Sequence, residues 1–226
     1  MSESRRQRAL VVWGGWQGHE PERTSARMAA LLREAGVEVL VHDTLEVYTA
    51  LDGLEPLDVI VQCWTQGQIT RPQLAGLQAA VEGGVGLAGW HGGIIDSFRD
   101  STAYQFMTGG QWVAHPDNII DYSVEIAPEH RGHPIVAGLQ DFRMTSEQYY
   151  VHVDPSNHVL ATTTFGRRKQ APWVEGVTVP VVWTRRWGRG RVFVNTLGHV
   201  DADFEVPEAR ELTRRGILWA AGALGD

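Results

Sequence analysis

Four short, largely apolar runs punctuate the first ninety residues, separated by segments of longer period. Residues 9–13 (ALVVW), 37–41, 58–63 (DVIVQC) and 85–90 read as strands buried on both faces. Between the first two, Met28, Leu31, Leu32 and Ala35 recur at helical spacing, and Gly36 follows as a C-terminal stop. Thr70-Arg71-Pro72 supplies an N-cap candidate and a first-turn proline for a second helix reaching about Glu82. This alternation predicts an α/β fold built on a parallel sheet with helices on both faces.

The pattern changes after residue 97. Residues 98–107 read as a helix and 109–116 (GGQWVAHP) as a turn-rich loop. Residues 119–127 alternate, with Tyr122, Val124 and Ile126 on one face, as in an antiparallel strand. A loop spans 130–139, the segment 142–153 carries Glu147-Gln148-Tyr149-Tyr150, and 159–165 is β-branched and strand-like. Residues 180–186 and 191–197 flank Trp187-Gly188-Arg189-Gly190 and predict a hairpin. An amphipathic helix closes the chain at 207–221. With no repeat, linker or low-complexity tract, a single domain over 1–226 is expected, residues 1–8 forming a disordered tail. The sheet is expected to be mostly parallel with an added antiparallel hairpin.

The chemistry gathers where apolar runs end in glycine. In 85–97 (VGLAGWHGGIIDS) a buried strand stops at His91, followed by two glycines and a helix start. Open α/β folds present reactive groups in this way at the carboxyl edge of the sheet. Gly89-Trp90-His91-Gly92-Gly93 has the spacing of a nucleophile elbow, but imidazole serves as base, acid or ligand rather than as hydroxyl or thiol. His19 follows the first strand and should open on the same edge. His199 follows Gly198 at the end of a late strand, with Asp201 and Asp203 near enough to orient it. Glu147 adds a carboxylate, so His91, His199, Glu147 and His19 are the candidate catalytic residues.

Aromatic faces stack on sugar rings, and several tryptophans lie close to glycines or histidines. Trp16, Trp90, Trp112, His115, Asp96 and Tyr149 are the candidate substrate contacts; the plainer reading of the tryptophans is core packing. Three histidines, or two with Glu147, would suit a divalent metal such as zinc, though no close ligand spacing supports it. His19-Glu20 runs into Pro21, which rules out an H-E-x-x-H helix, and neither G-x-G-x-x-G nor a P-loop occurs. No cofactor is otherwise evident.

Composition narrows the partners. A net charge of -7, from 20 Lys+Arg against 27 Asp+Glu, argues against a general nucleic-acid binder. The basic runs 167–169 and 185–191 read as solvated loops or anion contacts. The single Cys63 excludes an internal disulfide and any site built from two thiolates of one chain. No run is long enough for a membrane span, and the polar start leads into too short an apolar stretch for a signal peptide, so a cytoplasmic address is expected. A small-molecule sugar is the expected partner, and a homo-oligomer is left open.

In order along the chain, Gly14-Gly15…His19, Gly89-Trp90-His91-Gly92-Gly93, Gly109-Gly110…His115-Pro116, His133-Pro134-Ile135, Glu147-Gln148-Tyr149 and residues 188–194 through Gly198-His199 resemble the ThuA-like (trehalose utilisation) family. The likeness covers nearly the whole chain. It implies a class I glutamine amidotransferase-like fold, a three-layer α-β-α arrangement of flavodoxin type, and a link to catabolism of disaccharides and their 3-keto derivatives. In the related amidotransferases the elbow holds a nucleophilic cysteine partnered by His and Glu. Here His91 fills that position, so hydrolysis of glutamine through a thioester is not available there, and Cys63, on another strand, is expected to be an inert buried thiol. The function expected is proton-transfer chemistry on a keto-sugar or keto-disaccharide. The alternatives are a non-catalytic sugar-binding or regulatory module and a hydrolase on the same fold.

Overall fold

The computed structural model describes residues 5–225. Strand β1 (Arg8–Gly15) leads through a short 3-10 helix (Gln17–His19) into helix α1 (Pro21–Glu34), with Pro21 in its first turn. Strands β2 (Glu38–His42) and β3 (Val59–Thr65) follow, joined by two further 3-10 helices. Helix α2 (Arg71–Glu82) opens on a capping box: Thr70 accepts from the Gln73 amide while the Gln73 side chain accepts from the Thr70 amide. Strand β4 (Gly86–Trp90) turns at His91 into the single-turn helix α3 (Gly92–Ile95), and α4 (Thr102–Thr108) comes next. Strands β5 (Gly110–Ala114), β6 (Ile119–Ile126), β7 (Phe142–Glu147), β8 (Tyr150–Val153), β9 (His158–Thr164), β10 (Thr178–Trp187) and β11 (Gly190–Asn195) precede the final helix α5 (Pro207–Ala220).

Nine strands form one sheet in the order β2-β1-β3-β4-β11-β10-β9-β6-β7, and β5 pairs with β8 in a second, two-stranded sheet. The pairings from β2 across to β11 are parallel; those from β11 to β7 are antiparallel, so the expected hairpin β10–β11 is the start of a larger antiparallel extension. Side chains alternate across the parallel strands and divide the core. Ala9 and Val11 pack with Met28 and Leu32 of α1 and Leu212 and Ile217 of α5. Leu10 and Val12 join the cluster holding Leu77 of α2, Ile94 of α3 and Tyr104 and Met107 of α4. Helices therefore cover both faces, and the near-continuous apolar strands follow from that double burial.

Several local expectations need correction. Of the proposed tail, residues 1–4 lie outside the described residues, while Arg8 already belongs to β1 and Arg6 donates to the Gly36 carbonyl at 2.7 Å. Helix α4 starts at Thr102 rather than at residue 98. Phe98 has φ of +47°, and its apolar signal comes from packing edge-on against Tyr104. Residues 110–114, read as loop, form β5 because Trp112 and its neighbours pair with β8. The segment 142–153 breaks after Glu147, its two halves entering different sheets. In the hairpin, Trp187 pairs with Gly190, leaving Gly188 and Arg189 as the turn. Gly188 has φ of +58°, a conformation that suits glycine.

The parallel strands β1, β3, β4 and β11 all end at one edge. The chain places His19, Thr65, His91 and Thr196 just at or beyond those ends.

Candidate functional site

His91 is fixed before its side chain is considered. Its backbone takes φ 48° and ψ -142°, a region that non-glycine residues enter only when their surroundings hold them there. The surroundings do so: its amide donates to the Asn195 carbonyl at 2.7 Å, and its carbonyl accepts from the Ile94 and Ile95 amides. The imidazole lies 2.8 Å through Nδ1 from the Thr196 carbonyl and 3.1 Å through Nε2 from Oε2 of Glu147. Tyr149 stacks on the ring at 4.0 Å between centroids, and His91 is only 1% exposed.

His19 sits in the short helix after β1, where Nδ1 meets Thr65 Oγ1 at 2.9 Å. Its ring stands edge-on to those of His91 at 4.6 Å and His199 at 5.0 Å. This approach requires a glycine at position 92, since a Cβ there would lie 2.5 Å from His19 Cε1. His199 follows β11; its amide donates to Asp203 Oδ2 at 2.9 Å, and Nδ1 comes within 3.2 Å of Glu147 Oε2. His115 lies beyond β5, with Nε2 3.7 Å from Glu147 Oε1.

Glu147 is the hub. It ends the far edge strand β7, held by Tyr122, whose hydroxyl donates to the Glu147 carbonyl at 3.2 Å. Ser146 beside it donates to the same Asp203 Oδ2 at 2.6 Å. One carboxylate thus anchors both the Glu147 and the His199 arms. Burial pushes the His19 pKa down to about 2, reinforced by His91 and His199 and opposed by Glu147. Burial likewise lowers His91, against the pull of Glu147. For Glu147 burial acts upward, but hydrogen bonding to His199 and His91 outweighs it and holds the carboxyl below the usual range. The result favours an ionised Glu147 carboxylate beside neutral His19 and His91 rings. One ligand atom from each of His19, His91, Glu147 and His199 lies within 4.8 Å of the others, so these four could hold a cation.

The structure brings together His19, His91, His199, Glu147 and His115, with Tyr149 stacked among them. Trp16 stands edge-on to His19 at 4.7 Å and is 49% exposed, at the opening. Trp112 lies 5.6 Å from His115. Trp90 does not join them. Strand alternation sends it to the α5 face, where it packs edge-on against Phe204 at 1% exposure, so the expected sugar contact is corrected to a core residue. Asp96 adjoins the site, but its carboxylate is held bidentately by Arg99 at 2.6 and 2.9 Å, and Arg99 in turn lies over Trp112. Asp203 orients His199 through the backbone, whereas Asp201 binds Arg27 instead.

Thr65, Thr196 and Ser146 support the site without being among the expected residues. Thr65 carried a usable signal, since it ends the apolar run of β3 as His91 follows β4; a backbone carbonyl such as that of Thr196 has none. The basic runs are engaged in structure: Arg168 donates to Gln148 at 2.7 Å, Arg189 to the Gly83 carbonyl and Arg191 to the Trp219 carbonyl. Cys63 is buried, and burial pushes its thiol up to about 11. Among the described residues no helix is long and apolar enough to cross a membrane.

The fold is shared with solved structures. A ThuA-like protein of Bacteroides uniformis superposes with a TM-score of 0.78 at 17% identity, over 97% of this chain and 93% of that one. A ThuA-like protein of Parabacteroides merdae gives 0.75 at 15% identity, over 97% and 91%. A β-galactosidase of Bacillus circulans sp. alkalophilus gives 0.61 at 11% identity, over 96% of this chain and 31% of that one. At these identities the likeness is one of fold. No curated protein matches the chain in sequence. The sequence profile of the family described as ThuA, trehalose utilisation, matches residues 8–220, and with 213 of its 226 residues inside that match the chain belongs to the ThuA family.

Proposed function

We propose that this protein is a cytoplasmic enzyme of carbohydrate catabolism, built on a three-layer flavodoxin-like scaffold. It acts on a keto-sugar or keto-disaccharide of trehalose type by proton transfer. The family's description, trehalose utilisation, supports this substrate class. The observation that carries the chemistry is the convergence of four imidazoles on one buried carboxylate, Glu147, at the carboxyl edge of the parallel strands.

A ketone at C3 of a sugar acidifies the proton on C2. A neutral imidazole can take that proton while the C2–H electron pair forms a C2–C3 double bond and the carbonyl pair moves onto oxygen. The enediolate then regains a proton elsewhere, or its electrons return and expel the C1 oxygen, which accepts a proton as it leaves. His115 and His199 keep 30% and 15% of their side-chain surface and are the imidazoles that reach a substrate; His91 and His19 lie behind them and hold Glu147 in place. Trp16 and Trp112 supply apolar faces for a ring, and a cavity of about 360 Å³ lined by Trp112, His115 and Trp173 adjoins the cluster. His91 at the elbow and the buried Cys63 disfavour a thiol or serine hydrolase.

The test is proton NMR of a 3-keto-disaccharide with purified protein in D2O. Exchange of the C2 proton, or appearance of the cleaved sugars, is expected, and His115→Ala should slow either at least about 100-fold. A keto-disaccharide that binds by calorimetry yet stays unchanged for hours would replace the enzyme with a sugar-binding module.

A further inference from the structure

We propose that His19, His91, His199 and Glu147 form a binding site for one divalent first-row metal ion of the zinc type. The reason lies in the protons. Nδ1 of His91 faces the Thr196 carbonyl at 2.8 Å, and a carbonyl only accepts, so Nδ1 carries the hydrogen. In the neutral ring Nε2 then presents a lone pair to Glu147 Oε2 at 3.1 Å. Two lone pairs cannot face one another at that distance without a cation between or beside them. Among the described residues the ion-pair partners of Glu147 are histidines alone.

The spacing agrees. Bonds of about 2.0–2.2 Å at tetrahedral angles hold ligand atoms roughly 3.3–3.6 Å apart. From Glu147 Oε2 the distances are 3.1 Å to His91 Nε2, 3.2 Å to His199 Nδ1 and 3.9 Å to His19 Nε2, with the four ligand atoms within 4.8 Å of one another. Nδ1 of His199 is buried with Glu147 Oε2, at 3.2 Å, as its polar neighbour, where a lone pair aimed at a shared ion would lie. The partners behind the ligands are also those of a metal site: the Thr196 carbonyl on His91 and the Thr65 hydroxyl on His19 fix ring orientation. Three imidazoles and a carboxylate favour zinc or a first-row neighbour over magnesium or calcium.

Ion binding does not depend on the substrate. Its role does rest on the keto-sugar reading: a cation there would stabilise the enediolate oxygen, would take His199 as a ligand and would leave His115 to carry the proton.

The experiment is calorimetric titration of ZnCl2 into the full chain after chelator treatment and dialysis, with visible absorption on CoCl2 as a second readout. One ion per chain is expected, with Co2+ bands of a nitrogen- and oxygen-ligated site. Glu147→Gln and His199→Ala should each weaken binding by about 100-fold or more while the thermal unfolding of the metal-free protein stays cooperative. His158→Ala serves as control, because His130 and His158 stack at 3.9 Å elsewhere on the surface and could take an adventitious ion. Absence of binding, binding indifferent to E147Q and H199A, or binding lost in H158A would overturn the proposal. Zinc binding without turnover of a keto-disaccharide leaves the site standing and removes the substrate reading. Turnover by protein that binds no metal does the reverse.

Discussion

Gly92 shows how one missing methyl shapes the site. A Cβ there would lie 2.5 Å from Cε1 and 2.6 Å from Nδ1 of His19, so the ring and its bond to Thr65 would have to give way. Gly92→Ala is expected to destabilise by about 1–3 kcal/mol as an overpacked core position. Urea unfolding gives that cost, and the imidazole NMR signals of His19 should shift. Two of the three tryptophans named as sugar contacts separate in the same kind of measurement. Trp90→Ala removes a fully buried side chain and should cost about 3–5 kcal/mol. Trp16→Ala, at a half-exposed position, should stay within about 0.5 kcal/mol while weakening sugar binding. Equal destabilisation by both would contradict their placement. Sequence composition could not make this distinction, because a tryptophan suits a sugar face and a core equally well and only strand register decides between them.

Among the elements, α5 ties the parallel sheet to the loop before β7. Glu211 accepts from Arg214 at 2.8 and 2.7 Å and from Arg215 at 2.6 Å, and Arg215 reaches the Ala137 carbonyl at 2.7 Å. Hydrogen bonding to Arg214, opposed by burial and aided by Arg215, lowers the Glu211 pKa from 4.5 to about 2. The folded state thus binds this proton less readily than the unfolded chain. Its stabilisation is present above pH 4.5 and is lost as pH falls from there towards 2. The group is nearly one-third exposed, so solvent screening keeps the effect within about 1 kcal/mol. Urea midpoints should show Glu211→Gln less stable than the parent at pH 7 and the gap closing towards pH 2; a gap that widens in acid would refute it. The helices and parallel strands were legible as elements, since caps, prolines and apolar periods are local. Strand β5 was not, because a glycine pair and a His-Pro end look like a loop until β8 lies alongside.

At the scale of the whole molecule, the site exists because the sheet's far edge returns to its centre. Glu147 belongs to β7, at the opposite end of the strand order from β1, yet it touches histidines that follow β1, β4 and β11. Asp203 secures this return by accepting from Ser146 and from the His199 amide with a single buried oxygen. Asp203→Ala leaves both donors unpaired. A loss of about 1–3 kcal/mol is expected, with zinc affinity reduced about 10–100-fold through the freed His199 and Glu147 arms. Unfolding and zinc titration on the same protein check both, and unchanged zinc affinity would show that the two arms hold their places without the clamp. The order of elements, the doubly buried parallel strands and the placing of His19, His91 and His199 at strand ends were determined by the sequence itself, because apolar period and glycine turns act over a few residues. The union of those histidines with Glu147, the tautomer that the Thr196 carbonyl imposes and the exclusion of Trp90 were decided only by the tertiary structure. They depend on contacts between residues from 52 to 128 positions apart and on which face of a strand each side chain occupies, and neither is written in local pattern.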